Sequence, residues 1–480
     1  MTFAILITAI VLIICVFSSK FLHRFGVPAL LIFILLGMIF GSDGLVGIYF
    51  DNYSLAETVC SVALLFIMFY GGFGTNWNTA RPVLKQSICM STLGVVFTAT
   101  LTGVFCHFVL GMTWLESLLT GSVIGSTDAA SVFSILRSKK LNLKGGLASM
   151  LEIESGSNDP VSYMMTIIIL TVMSASGGVS LPWMIVKQLL FGFGVGFGVA
   201  FLSSKLLSRI DFEINGMDAI LVIGTALLTY GLSTWLGGNG YLSVYIVGIV
   251  LGNSKILHKT SLVHFFDGIT WMMQIAIFFI LGLLAFPSKI PSVALPAILI
   301  SVFMIIVARP IATFLILSWF KTPLRQQLLV SWSGLRGGAS IVFAIFVISS
   351  GVPLEHDIFH TVFFVALFSV AVQGTLLPKF ANKLGLVDKD DDSLVLKTFT
   401  DYQDDVDTKL LEVPVTENDS YAGKLLREAH IPEEVLIVMI KRNGETIIPR
   451  GSTKIKVGDI LVVSSESFER FKSGQLKPPQ

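Results

Sequence analysis

Charge is in short supply in this chain. Asp, Glu, Lys and Arg make up 14% of its 480 residues, against about 25% in soluble globular proteins, and this excludes an ordinary soluble enzyme or binding domain. Cysteine is nearly as scarce. Cys15, Cys60, Cys89 and Cys106 lie in or beside apolar runs with no Cys-x-x-Cys spacing, so they read as small packing residues rather than ligands or bridges. No Gly-x-Gly-x-x-Gly register fits the alternating Gly192, Gly194, Gly196 and Gly198, which points to close helix packing, also between subunits, instead of nucleotide binding. No nucleophile, base and orienting group recur together, so the chain is not read as an enzyme. Nor does it hold a Thr-Val-Gly-Tyr-Gly run of the kind that lines a selectivity filter.

What is present is apolar. Hydrophobic residues are 53% of the chain, and apolar segments separated by short polar breaks count as 13 spans, each judged against a hydrocarbon core of roughly 30 Å. Their limits are 2–19, 27–41, 58–75, 87–110, 115–136, 146–174, 181–204, 216–236, 239–253, 263–286, 292–319, 326–350 and 357–380, of which 27–41 and 239–253 are short. Thr2 to Phe17 has no basic residue before it and reads as an uncleaved first span. Every second loop, together with the tail, holds lysine and arginine, 16 in all, while the intervening loops hold only Lys187 and Lys289. By the positive-inside rule the N-terminus is outside and the C-terminal part is cytoplasmic.

Against this background the segment Leu151 to Pro160 stands out, with Glu152, Glu154 and Asp159 running directly into an Ile/Leu-rich stretch. An acid at the centre of a membrane helix costs roughly 2.5–3.5 kcal/mol, so such groups face a partner, a cavity or an ion path. In a helix, Ser155 and Asp159 share one face and Glu154 and Asn158 the adjoining one, which suits a cation. The alternative is a loop that ends where a helix begins near Val161. A second intramembrane acid, Asp128, sits in Gly125-Ser126-Thr127-Asp128, and two arginines, Arg309 and Arg336, stand in apolar surroundings as counterparts, unless they snorkel to a headgroup. Aligning Ser131 with Ser340 matches Ala130–Phe133 to Ala339–Val342 and sets Thr127 against Arg336. Seven spans lie between the two segments, so they cross in opposite directions, the pattern of inverted repeats with two broken helices.

Composition changes after Lys383. Residues 1–386 carry a formal charge of +6, and 387–480 carry −5. An acidic linker over 387–408 leads to a small α+β cytoplasmic domain over 409–475: a strand near Leu410–Val415, a capped helix over Ser420–Ala429, a strand over Val435–Arg442, an Asn443-Gly444 hairpin turn, a strand over Glu445–Pro449 and a strand near Asp459–Val463. The fold class is therefore an all-α polytopic membrane protein with a small α+β domain.

These residues together resemble the NhaP/CvrA branch of bacterial cation/proton antiporters (CPA1-like): Gly-Ser-Thr-Asp at 125–128, Glu-Ser-Gly-Ser-Asn-Asp-Pro at 154–160, Ala-Arg-Pro at 308–310 and Gly-Leu-Arg-Gly at 334–337. The tail is similar to the RCK_C (TrkA-C) module. The resemblance implies a 13-span fold with a dimerisation part and a core part, working as a homodimer by an elevator-like motion in the inner membrane. It implies that Asp159 binds either a monovalent cation or a proton, with Asn158 beside it, Thr127 and Ser155 offering oxygens and Asp128 close to the crossing. Glu154 would pair with Arg309, and Arg336 would neutralise helix ends and acids. Many relatives have an acid where this chain has Tyr70, which makes the shell less charged here.

The expectation is thus exchange of K⁺, or Na⁺, for H⁺, with no cofactor. It is pH-dependent because proton and cation compete for one carboxylate, and electroneutral because Asn158 stands where a second carboxylate could. Na⁺/H⁺ exchange with little K⁺ transport and a ligand-gated cation channel are the alternatives. RCK_C modules resemble dimerising ligand sensors, so a cyclic dinucleotide such as cyclic di-AMP, or another small anion, is expected between two tails on Arg427, Arg442 and Arg450; solvated surface arginines are the alternative. Lipid and a second copy, through the membrane part and the RCK_C part, are the expected partners, and nucleic acid is not.

Overall fold

The computed structural model describes residues 2–22, 29–128, 131–132, 135–136, 141, 143–174, 180–210, 214, 216–387, 409–416, 419, 421–429, 431, 435–442 and 445–465. The chain divides into two compact units, one of Met1–Leu257 with Ser261–Val387, the other of His258–Thr260 with Asp388–Gln480.

Helix occurs in each of the thirteen apolar segments. In order they are α1 (Thr2–Leu22), α2 (Ala29–Phe40), α3 (Tyr53–Gly74), α4 (Leu84–Leu110), α5 (Trp114–Val123), α6 (Leu147–Met173), α7 (Leu181–Leu207), α8 (Met217–Trp235), α9 (Gly240–Gly252), α10 (Lys259–Leu284), α11 (Pro291–Phe320), α12 (Leu324–Trp332), α13 (Gly338–Ser349) and α14 (Ile358–Lys383). Among the described residues seven are long and apolar enough to cross a membrane: α3, α4, α7, α8, α10, α11 and α14. α6 has the length, but its acids lower its hydropathy. Polar side chains fix several starts: Asn52, Thr113, Asn239 and Asp357 each accept a backbone N–H from the first turn that follows.

Two crossings are interrupted. α5 stops at Val123 and its backbone leaves the helix through 124–128, with helical turns again at 131–132 and 135–136. The twelfth segment is split into α12 and α13 by 333–337, where Gly334 and Gly337 bracket Leu335 and Arg336. The interruptions meet, since Asp128 N–H donates to the Leu335 carbonyl at 2.8 Å. Among the described residues three π turns, at Met90–Gly94, Met304–Ala308 and Ser369–Gly374, widen α4, α11 and α14. No pattern in the sequence pointed to them, although such turns gather at functional sites. Beneath the crossing, Leu147, Met150, Leu151, Leu317, Leu329, Val330 and Leu335 belong to one buried apolar cluster.

Close approach explains some glycines. A Cβ on Gly248 or Gly252 would strike the backbone of Phe69 or Phe73, so α9 lies directly on α3. Gly192 and Gly196 meet α9, whereas Gly194 and Gly198 face open space.

The second unit is a four-stranded antiparallel sheet in the order β1-β4-β2-β3, from β1 (Lys409–Pro414), β2 (Val435–Arg442), β3 (Glu445–Ile447) and β4 (Ile460–Ser465), with a bulge between Ile437 and Met439. Its core includes Val413, Tyr421, Ile437, Ile440, Ile455, Leu461 and Val463. The expected helix over Ser420–Ala429 is a correction: only a 3₁₀ turn forms, at Leu426–Glu428. Gly423 takes φ +79°, and the N–H groups of Gly423, Leu426 and Arg427 bond instead to Ile455, Thr453 and Gly451. The strand expected to reach Pro449 ends at Ile447, since proline has no N–H to give a ladder. The acidic linker 388–408, Ser420 and the Asn443-Gly444 turn lie outside the described residues.

Candidate functional site

The site forms where the break after α5 lies against one face of α6. Leaving the helix at Val123 strips several carbonyls of their intrahelical partners, and in a membrane each must be met. α6 supplies side chains at helical spacing, Ser155, Asn158, Asp159 and Ser162. Ser162 Oγ donates to the Ser122 carbonyl, and Ser155 Oγ donates to the Thr127 carbonyl at 2.6 Å. Asn158 works in both directions, its amide donating to Thr127 Oγ1 at 2.5 Å and its Oδ1 accepting Thr127 N–H at 3.3 Å. Ser126 Oγ donates to Asp159 Oδ1.

The second break supplies the rest. Arg336 Nη1 donates to the Gly125 and Ser126 carbonyls at 2.7 and 2.8 Å, placing a guanidinium at the C-terminal end of α5, where the helix dipole is negative. Arg336 N–H donates to Ser369 Oγ at 3.0 Å, and Ser369 in turn donates to Gln373 Oε1 at 2.8 Å, both within the π turn of α14. The Asp128 carboxylate caps the turn that follows it, accepting Ser131 N–H at 3.1 Å and Ser131 Oγ–H at 2.7 Å. A Cβ on Gly337 would occupy the place of that carboxylate.

All the expected ion-site residues therefore gather here, and most are buried: Thr127, Ser155, Asn158 and Asp159 are at most 9% exposed, with Asp128 half-buried. One grouping differs from the helical-face expectation. Asn158 joins Ser155 and Asp159, while Glu154 turns to α11 and forms a buried ion pair with Arg309. The π turn at Met304–Ala308 directly precedes Arg309, and a Cβ on Gly334 would press on its guanidinium. Among the described residues no ion pair reaches Asp159; its carboxylate accepts the Ser126 hydroxyl, and with the hydroxyls of Thr127 and Ser155 on the adjoining residues the site offers oxygen donors of the kind that suits a hard monovalent cation. Ser126, Ser162, Ser369 and Gln373 are additional residues of the site. Ser162 was detectable as the next position on the face that carries Ser155 and Asp159. Ser369 and Gln373 had no signal, because a π turn resets their phase. Tyr70 donates to Asp267 Oδ1 at 3.3 Å, so a carboxylate from α10 lies beside the end of α3.

In the sheet unit the three expected arginines differ. Arg442 is committed internally, with Nε and Nη2 donating to Asp459 at 2.7 and 2.8 Å and Nη2 donating to the Lys454 carbonyl at 2.8 Å. Burial of Asp459 works against its charge, yet Arg442 and the Lys456 N–H hold its carboxyl below the usual carboxylate range. Arg427 and Arg450 are exposed and close in the fold, because Arg427 N–H donates to the Gly451 carbonyl at 3.1 Å.

The sodium/hydrogen exchanger (transmembrane) family model matches residues 6–383. The chain belongs to that family. A TrkA-C domain model matches residues 410–472 of this exchanger. Among the relatives, the K⁺/H⁺ antiporter NhaP2 of Shewanella sp. (strain ANA-3) is 36% identical over 464 residues, covering 95% of this chain and 80% of its own. The K⁺/H⁺ antiporter NhaP of Alkalimonas amylolytica is 33% identical over 465 residues, covering 96% and 80%. The Na⁺/H⁺ antiporter ApNhaP of Aphanothece halophytica is 26% identical over 395 residues, covering 77% and 71%. The structure of the sodium proton antiporter MjNhaP1 from Methanocaldococcus jannaschii superposes with a TM-score of 0.71 at 23% identity, over 80% of this chain and 99% of that one, a likeness of fold. The exchanger is thus a multi-pass membrane transporter and not an enzyme.

Proposed function

We propose that this exchanger is a secondary active antiporter that moves K⁺, and also Na⁺, against H⁺, with Asp159 as the group both substrates share. The observation that carries the reading is a nearly buried carboxylate at the meeting of two interrupted helices, bonded to Ser126 and reached by no ion pair among the described residues. Such a carboxylate holds one positive charge at a time. Loading a cation expels the proton and loading a proton expels the cation, which couples the flows one for one and makes exchange electroneutral. Ser126, Thr127 and Ser155 supply neutral oxygens near that carboxylate, and Asp128 adds charge to the approach. Glu154, Arg309 and Arg336 hold the frame. K⁺ is favoured over Na⁺ because the relatives with higher identity over nearly the whole chain are named for K⁺, and the one at 26% is named for Na⁺.

The antiporter domain spans 1–386, followed by a linker over 387–408 and a regulatory domain over 409–475. Alternating lysine and arginine loops favour an outside N-terminus and a cytoplasmic regulatory domain in the bacterial inner membrane. A homodimer is supported by α7, where Gly194 and Gly198 open a flat strip between exposed Phe193, Phe197 and Phe201. Exposed Arg427 and Arg450 are the better candidates for a cyclic dinucleotide or another small anion, since Arg442 is held by Asp459. The deciding assay is dequenching of a pH dye in vesicles on adding K⁺ or Na⁺, with Asp159→Asn in parallel. K⁺-driven proton movement lost in the variant supports antiport at Asp159, and K⁺ flux that needs no proton and survives the variant refutes it.

A further inference from the structure

Remote from Asp159, a second set of ligand-type side chains converges between two loops. Glu116, Glu355 and His356 each place a donor atom within 4.8 Å of the others. Glu116 lies in the first turn of α5 and is 2% exposed, whereas Glu355 and His356 are exposed in the segment joining α13 to α14. The Glu116 carboxylate is fixed on both oxygens, Oε1 accepting Glu355 N–H at 2.5 Å and Oε2 facing His356 Nδ1 at 2.9 Å. A solvated acidic patch has none of this: here a buried, oriented carboxylate stands against an imidazole nitrogen, with an exposed carboxylate from the adjoining residue beside them.

The spacing suits a metal. Two donors at about 2.0–2.1 Å from a zinc-class ion stand about 2.9 Å apart at a right angle and about 3.4 Å apart at the tetrahedral angle. The Glu116–His356 separation of 2.9 Å lies at the lower end of that range. An ion replaces the proton these two atoms share, with a shift of about half an ångström. One imidazole and two carboxylates form a mixed nitrogen and oxygen set that favours Zn²⁺ or a similar first-row ion over Mg²⁺ or Ca²⁺. The neighbouring His360 is buried and has both ring nitrogens bonded, Nδ1 to Asp357 at 2.7 Å and Nε2 to Phe286 N–H at 3.1 Å, and it is not counted among the ligands.

We propose that Glu116, Glu355 and His356 form a zinc-class metal site at the end of the membrane unit opposite the lysine- and arginine-bearing loops. Glu116 begins the helix whose far end carries Ser126 and Thr127, and His356 follows the helix that starts beside Arg336. A metal therefore joins the two interrupted crossings at one end, in addition to the hydrogen bonds by which Asp128, Leu335 and Arg336 hold their breaks together, and its occupancy stabilises that part of the membrane unit.

The test uses the full-length chain. Purified protein is equilibrated with zinc chloride and desalted, and the retained zinc is measured for wild type, Glu355→Gln and His356→Ala, both at exposed positions. About one zinc per chain is expected in wild type, with affinity at least about tenfold weaker in His356→Ala. Zinc is also expected to raise the midpoint of thermal unfolding of wild type in detergent and not that of His356→Ala. Equal zinc on wild type and both variants, adventitious binding elsewhere, overturns the site. Zinc bound through these residues with no change in the midpoint overturns the tie between the two crossings.

Discussion

Removing one partner of the buried pair between Glu154 and Arg309 should destabilise the exchanger more than removing both. In Arg309→Met the Glu154 carboxylate, with a side chain 1% exposed, is left without a counter-charge, and breaking a buried pair in this way costs about 3–5 kcal/mol. The pair has little to fall back on, because Glu154 Oε2 and Arg309 Nε make no hydrogen bond of their own. At about 2 °C per kcal/mol for a large domain, the midpoint of thermal unfolding should fall by about 6–10 °C. Glu154→Gln alone should also destabilise, by stranding the guanidinium. The double variant Glu154→Gln/Arg309→Met removes both charges and should recover most of the loss, a coupling of at least about 2 kcal/mol. The assay is thermal unfolding in detergent followed by size-exclusion chromatography, beside K⁺/H⁺ exchange in vesicles. Additive losses, or single variants within about 1 °C of wild type, would refute the pairing argument. A double variant that is stable but unable to exchange would refute the assignment of these residues to the frame.

Ser126→Ala removes the hydroxyl bonded to Asp159; since hydrogen bonds to charged groups are worth about 1.5–3 kcal/mol, the apparent KM for K⁺ should rise about tenfold or more with little change in thermal stability. Gly337→Ala drives a methyl into the Asp128 carboxylate, so exchange should fall much further than stability, as vesicle rates and unfolding midpoints will show. Imposing a membrane potential on vesicles should leave the wild-type exchange rate unchanged, and a voltage-dependent rate would contradict one-for-one coupling. In the sheet unit, Asp459→Asn should cost about 1.5–3 kcal/mol at neutral pH, seen as faster proteolysis of that unit in the full-length chain. The Asp459 carboxyl titrates below its unfolded value, so its contribution is present above about pH 4 and lost as pH falls through the folded value; the variant should converge with wild type only in acid.

The membrane fold was largely legible because hydropathy and loop charge are coarse signals that a bilayer enforces. The candidate site was legible in its acids for the opposite reason: Asp128, Glu154 and Asp159 contradict their surroundings, and Arg309 and Arg336 do so with the other sign. What escaped was main-chain detail. Ser126 and Ser162 are ordinary residues in a membrane helix until a neighbouring backbone unwinds and needs donors. The π turns that orient Ser369 and precede Arg309 shift phase by a residue without changing composition. The helix expected over Ser420–Ala429 failed because Gly423 at φ +79° turns those N–H groups toward 451–455, a long-range pairing that a local helical pattern cannot reveal.

The carbonyls of Gly125 and Ser126 depend on Arg336, 211 and 210 positions further along the chain. During synthesis the fifth crossing therefore enters the bilayer long before its donor exists. Until the twelfth crossing arrives, the 124–128 segment must stay wound as a regular helix or keep water within reach of its backbone. The broken helix is thus among the last features of the membrane unit to form. A nascent chain stalled after the eleventh crossing should hold every acid of the site and still lack the site, and losses traced to Arg336 variants will include failures of biogenesis as well as failures of transport.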